Sequence, residues 1–511
     1  MRAAFPGALV VAAAALAACQ TRPAGPALTV VGEGTRPRWT DALPAASPFF
    51  DGARVRLRAA RGEVLGVHVL RAGRGQVAVG LDLEAAGVTV TAFAVDHHTV
   101  ALPSTAMYGG SRGPGRYPDR LRPSSQPVAA ARAAFFDVAV AGGAAAGVHG
   151  GWLTVGDQRW PVELVVEDVD LPALDAPARA WAYYDAREIS RAHQVERGAA
   201  TFAFERAYAA LFRAHGVIAS PELTPQSWAE RRELVAGLPF VPVLLPVEPG
   251  PLAAEVRAWL ELTAGSGQVP FAIPIDEPRA IVDQLRVRAR AGWVRAAGGG
   301  PGRFLYAVTQ RPSWLLGPDV DLHISPFAAG VVPGAWTYNG TPPWAGAMVL
   351  DAADPGARTW GWIGFRHDVP VWYVWDALYW RDRYNRGRDA APFTDLVGDP
   401  RTFDDGEDHG NLDGVLAYPG DGGPLPSLRL KAVRRGLQDR ALLEALAACA
   451  GRPAAQAIAR EVVPRALAHA RRGERPTWSA DEAVWEAGRQ RALDALVACR
   501  AAGGEASSAA P

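Results

Sequence analysis

Apolar and polar residues follow three different rhythms along the chain, and each predicts a different kind of element. Between residues 27 and 172, short apolar runs with β-branched or alternating residues recur at 55–60, 66–70, 76–83, 88–95, 135–140, 152–155 and 161–166. Gly, Pro and Asp separate them, so they read as strands joined by turns, the pattern of a β-sandwich. From residue 178 the rhythm changes. Strand-like runs at 180–184, 216–220, 241–246, 269–276, 303–309, 320–325, 334–338 and 371–375 are spaced by longer segments, and 202–214 repeats its apolar residues at helical spacing. That alternation predicts a parallel α/β architecture over residues 178–400, either a compact (β/α)8 barrel of the TIM type or a doubly wound open sheet. Residues 411–500 read as a strand and helices packed on that unit, the helices at 428–450, 453–472 and 480–500, and 503–511 as a frayed tail.

The first nineteen residues read as an export signal. Met1-Arg2 precedes an apolar run over 8–18, too short to span a membrane and ending in small residues before Cys19. Leu16-Ala17-Ala18-Cys19 resembles the bacterial lipobox. That resemblance implies a lipidated Cys19 and a protein anchored in the bacterial cell envelope, at the outer membrane or its periplasmic face. An ordinary secretory signal with an incidental cysteine is the other reading. Three cysteines are present, so Cys449 and Cys499 remain as an even pair in an exported chain. They form either a disulfide between two C-terminal helices or two separate buried positions.

Composition removes several classes of function. The 511 residues carry 53 Lys+Arg against 53 Asp+Glu, and a net charge of zero excludes a mainly electrostatic nucleic-acid binder. No Gly-x-Gly-x-x-Gly follows a strand and no Walker-type lysine loop occurs, so no nucleotide cofactor is predicted. The ten histidines offer no obvious base partner for a serine nucleophile, and no paired His/Glu spacing suggests a metal. Asp96-His97-His98 places adjacent histidines on opposite faces of a strand, where they cannot share an ion. The acidic stretch Asp404-Asp405-Gly406-Glu407-Asp408-His409-Gly410 lacks the spacing of an EF-hand and reads as a solvated loop.

One strand end concentrates the chemistry. The apolar run Phe271-Ala272-Ile273-Pro274-Ile275 leads directly into Asp276-Glu277-Pro278. Barrel enzymes carry their acid–base groups at C-terminal strand ends, and adjacent carboxyl groups in a partly apolar site titrate apart, as glycosidic cleavage requires. A helix N-terminus, where acids and proline are equally at home, explains the same residues. Tryptophan favours the first reading. Of 17 tryptophans, Trp336, Trp344, Trp360, Trp362, Trp372, Trp375 and Trp380 crowd the last strands of the α/β region. Aromatic faces stack on sugars, and Trp336 and Tyr338 alternate along one strand, so they share a face. With Trp375 and Asp376 they are the expected substrate-binding residues.

Several blocks together resemble glycoside hydrolase family 123 and the related domain of unknown function 4091. They are residues 59–63, Asp276-Glu277-Pro278, residues 372–380, and above all Gly414-Val415-Leu416-Ala417-Tyr418-Pro419-Gly420 with Pro426-Ser427-Leu428-Arg429-Leu430 and Arg435-Gly436-Leu437-Gln438-Asp439. Gln438 departs from the glutamate usual in that family. The resemblance implies a β-sandwich, a (β/α)8-type barrel, and β-N-acetylgalactosaminidase-like hydrolysis in which the substrate's acetamido oxygen attacks the anomeric carbon. Asp276 would then orient the acetamido group, and Glu277 would act as general acid and then as general base. A glycan is the expected partner, and no cofactor is implied. A surface lipoprotein that keeps the fold and binds glycans or envelope components without catalysis is the alternative.

Overall fold

The computed structural model describes residues 27–508 except 74, 353–354, 382–395 and 397, with side chains to residue 502. Cys19 and the rest of the export signal lie outside the described residues.

Two five-stranded sheets account for the N-terminal region. The first is ordered β1 (Leu28–Val31), β3 (Val64–Arg71), β8 (Ala133–Val140), β5 (Val88–Val100), β6 (Gly115–Ser124), and all its neighbours are antiparallel. The second is ordered β2 (Val55–Arg61), β10 (Gln158–Asp170), β9 (Gly147–Val155), β4 (Val77–Leu83), β7 (Val128–Ala130), with only the β2–β10 pair parallel. Val67, Phe136 and Val138 of the first sheet share one core with Leu81, Leu153 and Leu164 of the second. β4 alternates buried and open positions, as a sheet with one wet face should. β8 is buried almost throughout because its second face is covered as well: Phe135 meets Leu428 there. β6 escapes the sequence pattern, since Arg, Asp and Pro dominate it and only Leu121 and Tyr117 mark its buried face.

Eight short parallel strands follow. β11 (Ala180–Tyr183), β12 (Ile218–Ser220), β17 (Thr337–Tyr338) and β18 (Trp372–Val374) make a sheet ordered β12-β11-β18-β17. β13 (Phe240–Pro242), β14 (Val269–Ala272), β15 (Leu305–Val308) and β16 (Leu322–His323) make another, ordered as in the chain. Each is a half-barrel. Single parallel bridges join them at Leu223–Val243 and Ile324–Trp336. Trp181, Ile218, Phe271, Ala307, Leu322, Ile324, Trp336 and Val371, drawn from both sheets, pack as one cluster. Outside lie α1 (Ala186–Ala192), α2 (Ala199–Arg213), α3 (Pro225–Arg231), α4 (Pro249–Leu262), α5 (Ile281–Ala296) and α6 (Thr359–Arg366).

The C-terminal region holds two hairpins, β19 (Arg401–Asp404) with β20 (His409–Asn411) and β21 (Ala417–Gly420) with β22 (Gly423–Pro426). Then come α7 (Leu428–Ala450), α8 (Arg452–Val462) and α9 (Glu482–Ser508). The Ser427 side chain caps α7 by accepting from the amide of Leu430 at 3.0 Å. The helix expected over 453–472 stops at Val462, before Pro464, because proline neither donates to a helix nor tolerates a helical predecessor. α9 continues to Ser508, past the point where fraying is expected. Cys449 and Cys499 are joined in a disulfide between α7 and α9.

The block that carries the family resemblance is largely this junction. Arg429 pairs with Asp119 of β6 at 2.9 Å, and Tyr418 also donates to Asp119. Lys431 and Arg434 each reach Asp137 of β8 at 2.6 Å. Arg435 pairs with Glu486 of α9, and Asp439 accepts from Trp362 of α6 at 2.8 Å.

Candidate active site

The C-terminal ends of the parallel strands surround a cleft of about 560 Å³. Asp276 and Glu277 line it, four and five residues beyond β14. They are not the first turn of α5, which begins at Ile281 with Ala280 at its cap, so the helix N-terminus reading of this pair fails.

Neighbouring strand ends hold both carboxyl groups. The Thr309 hydroxyl, just past β15, donates to Asp276 Oδ1 at 2.6 Å and accepts the Glu277 amide at 2.6 Å. Tyr338 of β17 donates its hydroxyl to Glu277 Oε1 at 2.6 Å, and exposed Arg279 pairs with Oε2. Glu277 has φ 38°, in the left-handed region that costs a side-chain-bearing residue of order 1–3 kcal/mol. Such strain persists where surrounding bonds over-determine it, and here it turns the carboxyl toward the cleft. Asp276 presents one side to cleft solvent and is crowded by protein on the others. That partial burial, and then the like charge of Glu277, push its carboxyl above the ordinary range, while the Thr309 hydrogen bond opposes them. Burial and the nearby carboxylates likewise raise the Tyr338 phenol, which therefore stays a donor.

The opposite wall is aromatic and acidic. Trp375 bonds Asn339 Oδ1 through its backbone amide at 3.0 Å and Asp413 Oδ1 through its indole at 3.3 Å. Its ring lies 4.8 Å from Tyr379 and 5.9 Å from Phe403. Asp413 also accepts from Tyr108 at 2.6 Å, and burial raises its carboxyl. Tyr183, Tyr373, Glu222, Met107 and Ile273 also line the cleft, together with Asp185, Arg187 and Asp405.

Of the residues singled out from sequence, the cleft therefore unites Asp276, Glu277, Tyr338 and Trp375. It does not include Trp336 or Asp376. Trp336 does share the inward face with Tyr338, but two residues lower the interior is filled, and its ring packs 5.0 Å from Phe240 and 5.1 Å from Phe271 with 1% exposure. Asp376 is fully buried and turns back to accept from the amide of Leu378 at 2.8 Å. The tryptophan surplus is mostly core: Trp360, Trp362, Trp372 and Trp380 are buried, and Trp375 is the tryptophan that lines the cleft. The acidic stretch at 404–410 spans the turn of the β19–β20 hairpin and the strand residues on either side of it, and the hairpin brings Phe403 and Asp405 to the cleft rim. Glu222, Thr309, Asn339 and Asp413 were missed. The signal that finds Asp276, a polar residue just beyond a short apolar strand, also finds Glu222 and Thr309. Asp413 has no such signal, because its place depends on the distant Tyr108.

Among the described residues, no group of three or more His, Cys, Asp or Glu is arranged to hold a metal, and no helix is long and apolar enough to cross a membrane.

No protein-family model and no curated protein matches the chain. Solved structures do. A family 123 glycoside hydrolase from Clostridium perfringens, solved for the details of glycolipid glycan hydrolysis, aligns over 94% of this chain and 98% of its own, with 10% identity and a TM-score of 0.60. The chain shares the fold of this family 123 glycoside hydrolase. A glycosyl hydrolase family 2 member from Bacteroides cellulosilyticus aligns over 62% of this chain and 44% of its own at 8% identity, and its TM-score of 0.20 carries no argument. The family 123 likeness read from the sequence blocks thus stands at the level of fold, over nearly the whole of both chains.

Proposed function

We propose that this protein is an exported glycosidase cleaving β-N-acetylhexosaminides, N-acetylgalactosaminide-like, with retention of configuration. The observation that carries the reading is the consecutive pair Asp276 and Glu277, both facing the cleft and each tethered by a neighbouring strand. Glu277 protonates the glycosidic oxygen while the acetamido carbonyl oxygen of the substrate attacks the anomeric carbon, so the leaving alcohol departs and a cyclic cation forms. Asp276 accepts from the acetamido N–H and stabilises that cation. Water then attacks the anomeric carbon, breaking its bond to the acetamido oxygen, and gives its proton to Glu277, which restores the acetamido group and the acid. A non-catalytic binder has less support, because Asp276 and Glu277 are open to the cleft rather than closed off by other side chains.

The same reading takes the two half-barrels as one (β/α)8 barrel, supported by the bridges at both seams and the shared interior cluster, and the N-terminal sheets as a β-sandwich, supported by their common core. It places the chain in the cell envelope through Cys19, supported by the lipobox-like residues. A panel of aryl glycosides with and without the acetamido group tests the function. Turnover is expected only where the acetamido group is present; equal turnover without it, or none on any member, refutes the proposal.

A further inference from the structure

Among the described residues six carboxyl groups line the cleft, and they differ in how they are held. Asp185 is paired with Arg187, and Asp276 accepts from Thr309. Glu277 accepts from Tyr338 and Arg279, Asp405 from the amides of Glu407 and Asp408, and Asp413 from Tyr108 and Trp375. Glu222, two residues past β12, has no hydrogen bond or ion pair with any described residue. It is half-buried, with Asp276 and Tyr373 as its ionisable neighbours. Burial, and then the charge of Asp276, push its carboxyl up to about 7, so near neutrality it can both donate and accept.

A crowded carboxyl beside a like charge and without a partner costs stability, and a fold that keeps one leaves it for a ligand to satisfy. The surroundings choose that ligand. Among the described residues, Arg187 and Arg279 are the arginines of the lining, and each already engages a cleft carboxyl. An acidic sugar would meet repulsion here, whereas neutral hydroxyl groups can both donate to and accept from a carboxyl. We propose that Glu222 is a specificity-determining residue that hydrogen-bonds hydroxyl groups of an uncharged sugar in the cleft, a role that rests on the glycosidase reading above.

The test uses the chain from Gln20 onward, which contains every described residue, with Glu222→Ala, Glu222→Gln and Glu222→Leu. KM and kcat are measured on an aryl β-N-acetylgalactosaminide, Kd by calorimetric titration with free N-acetylgalactosamine, and Tm by thermal unfolding. Glu222→Ala is expected to raise KM and Kd about ten-fold, with kcat within about three-fold of wild type, as loss of one or two sugar hydrogen bonds implies. Glu222→Gln should recover most of the affinity. Glu222→Leu and Glu222→Gln should melt at or above the wild-type temperature, because no protein contact is lost. Unchanged KM and Kd in Glu222→Ala, or a lowered Tm in both Glu222→Leu and Glu222→Gln, overturns the assignment. A wild type that binds the sugar without turnover refutes the glycosidase reading alone, and the Kd and Tm arms still decide the role of Glu222. A wild type that neither binds nor turns over refutes both.

Discussion

Thr309→Val isolates the hydrogen bond that ties the two carboxyl groups together. Valine keeps the volume and β-branched shape of the buried threonine and removes only the hydroxyl, which lies 2.6 Å from Asp276 Oδ1 and 2.6 Å from the Glu277 amide. A hydrogen bond to a charged group contributes about 1.5–3 kcal/mol, and about 1.4 kcal/mol corresponds to one pH unit. Asp276 faces cleft solvent, which screens the interaction, so the lower end of that range, about one unit, is expected. The sign follows from the site: the Thr309 hydroxyl holds the Asp276 carboxyl down against burial and Glu277. Without it the carboxyl rises further, and the Asp276 anion on which the proposed mechanism depends survives only at higher pH. The acidic limb of kcat/KM should therefore move up by about one pH unit, measured on an aryl β-N-acetylgalactosaminide across the acid to neutral range. Thr309→Ser should return the limb to its wild-type position. An acidic limb that superimposes on wild type in a folded Thr309→Val protein refutes the electrostatic role assigned to this hydroxyl.

Glu277→Gln should lower kcat by about 10²–10⁴ with an unchanged circular dichroism spectrum, and Asp276→Asn should impair acetamido-bearing substrates far more than any lacking that group. Trp336→Ala should cost roughly 3–5 kcal/mol in urea unfolding, as loss of a buried tryptophan does, while KM of the folded fraction stays near wild type. Trp375→Ala should do the reverse, raising KM with the smaller stability loss. Cys499→Ser opens a cross-link between residues 50 apart in sequence, and chain entropy puts the loss of unfolding free energy at about 4 kcal/mol, read from the urea midpoint.

The parts of this fold that could be read from sequence are those whose burial follows a local period. Each strand of the α/β region overlaps one of the apolar runs, although β14 stops at Ala272 before its run ends, and the rule that barrel chemistry sits beyond strand ends leads to Asp276 and Glu277. Trp336 shows where that reasoning stops. Its alternation with Tyr338 correctly puts both on one face, but a strand's period does not say how deep along the axis the interior stays filled. Asp376 fails for a related reason: a polar residue at a strand end can turn into the cleft or back onto its own chain, and the amide of Leu378 decides it. The tryptophan excess misleads because large aromatics fill barrel interiors and helix seams as readily as they line sugar sites. β6 was illegible because it is rich in Arg, Asp and Pro and its buried Asp119 finds its partners, Tyr418 and Arg429, far away in sequence, as Asp413 finds Tyr108.

Helix α7 sets a limit on how this chain can come apart. Its cationic side chains are seated on Asp119 and Asp137 of the N-terminal sheets, and Leu428 packs against Phe135 beside them. Any partial opening that peels those sheets from the rest must separate several desolvated ion pairs and an apolar contact in one step, with little water able to follow until all have parted. The sheets and the parallel strands are therefore expected to unfold in a single cooperative transition, the more so because Ala60, Val100 and Tyr117 share a cluster with Ala180 and Trp372. The cleft is bound into the same unit, since Met107 and Tyr108 reach it from the N-terminal side. A chain shortened to begin at the parallel strands would thus be an incomplete fold, with one wall of its cleft missing.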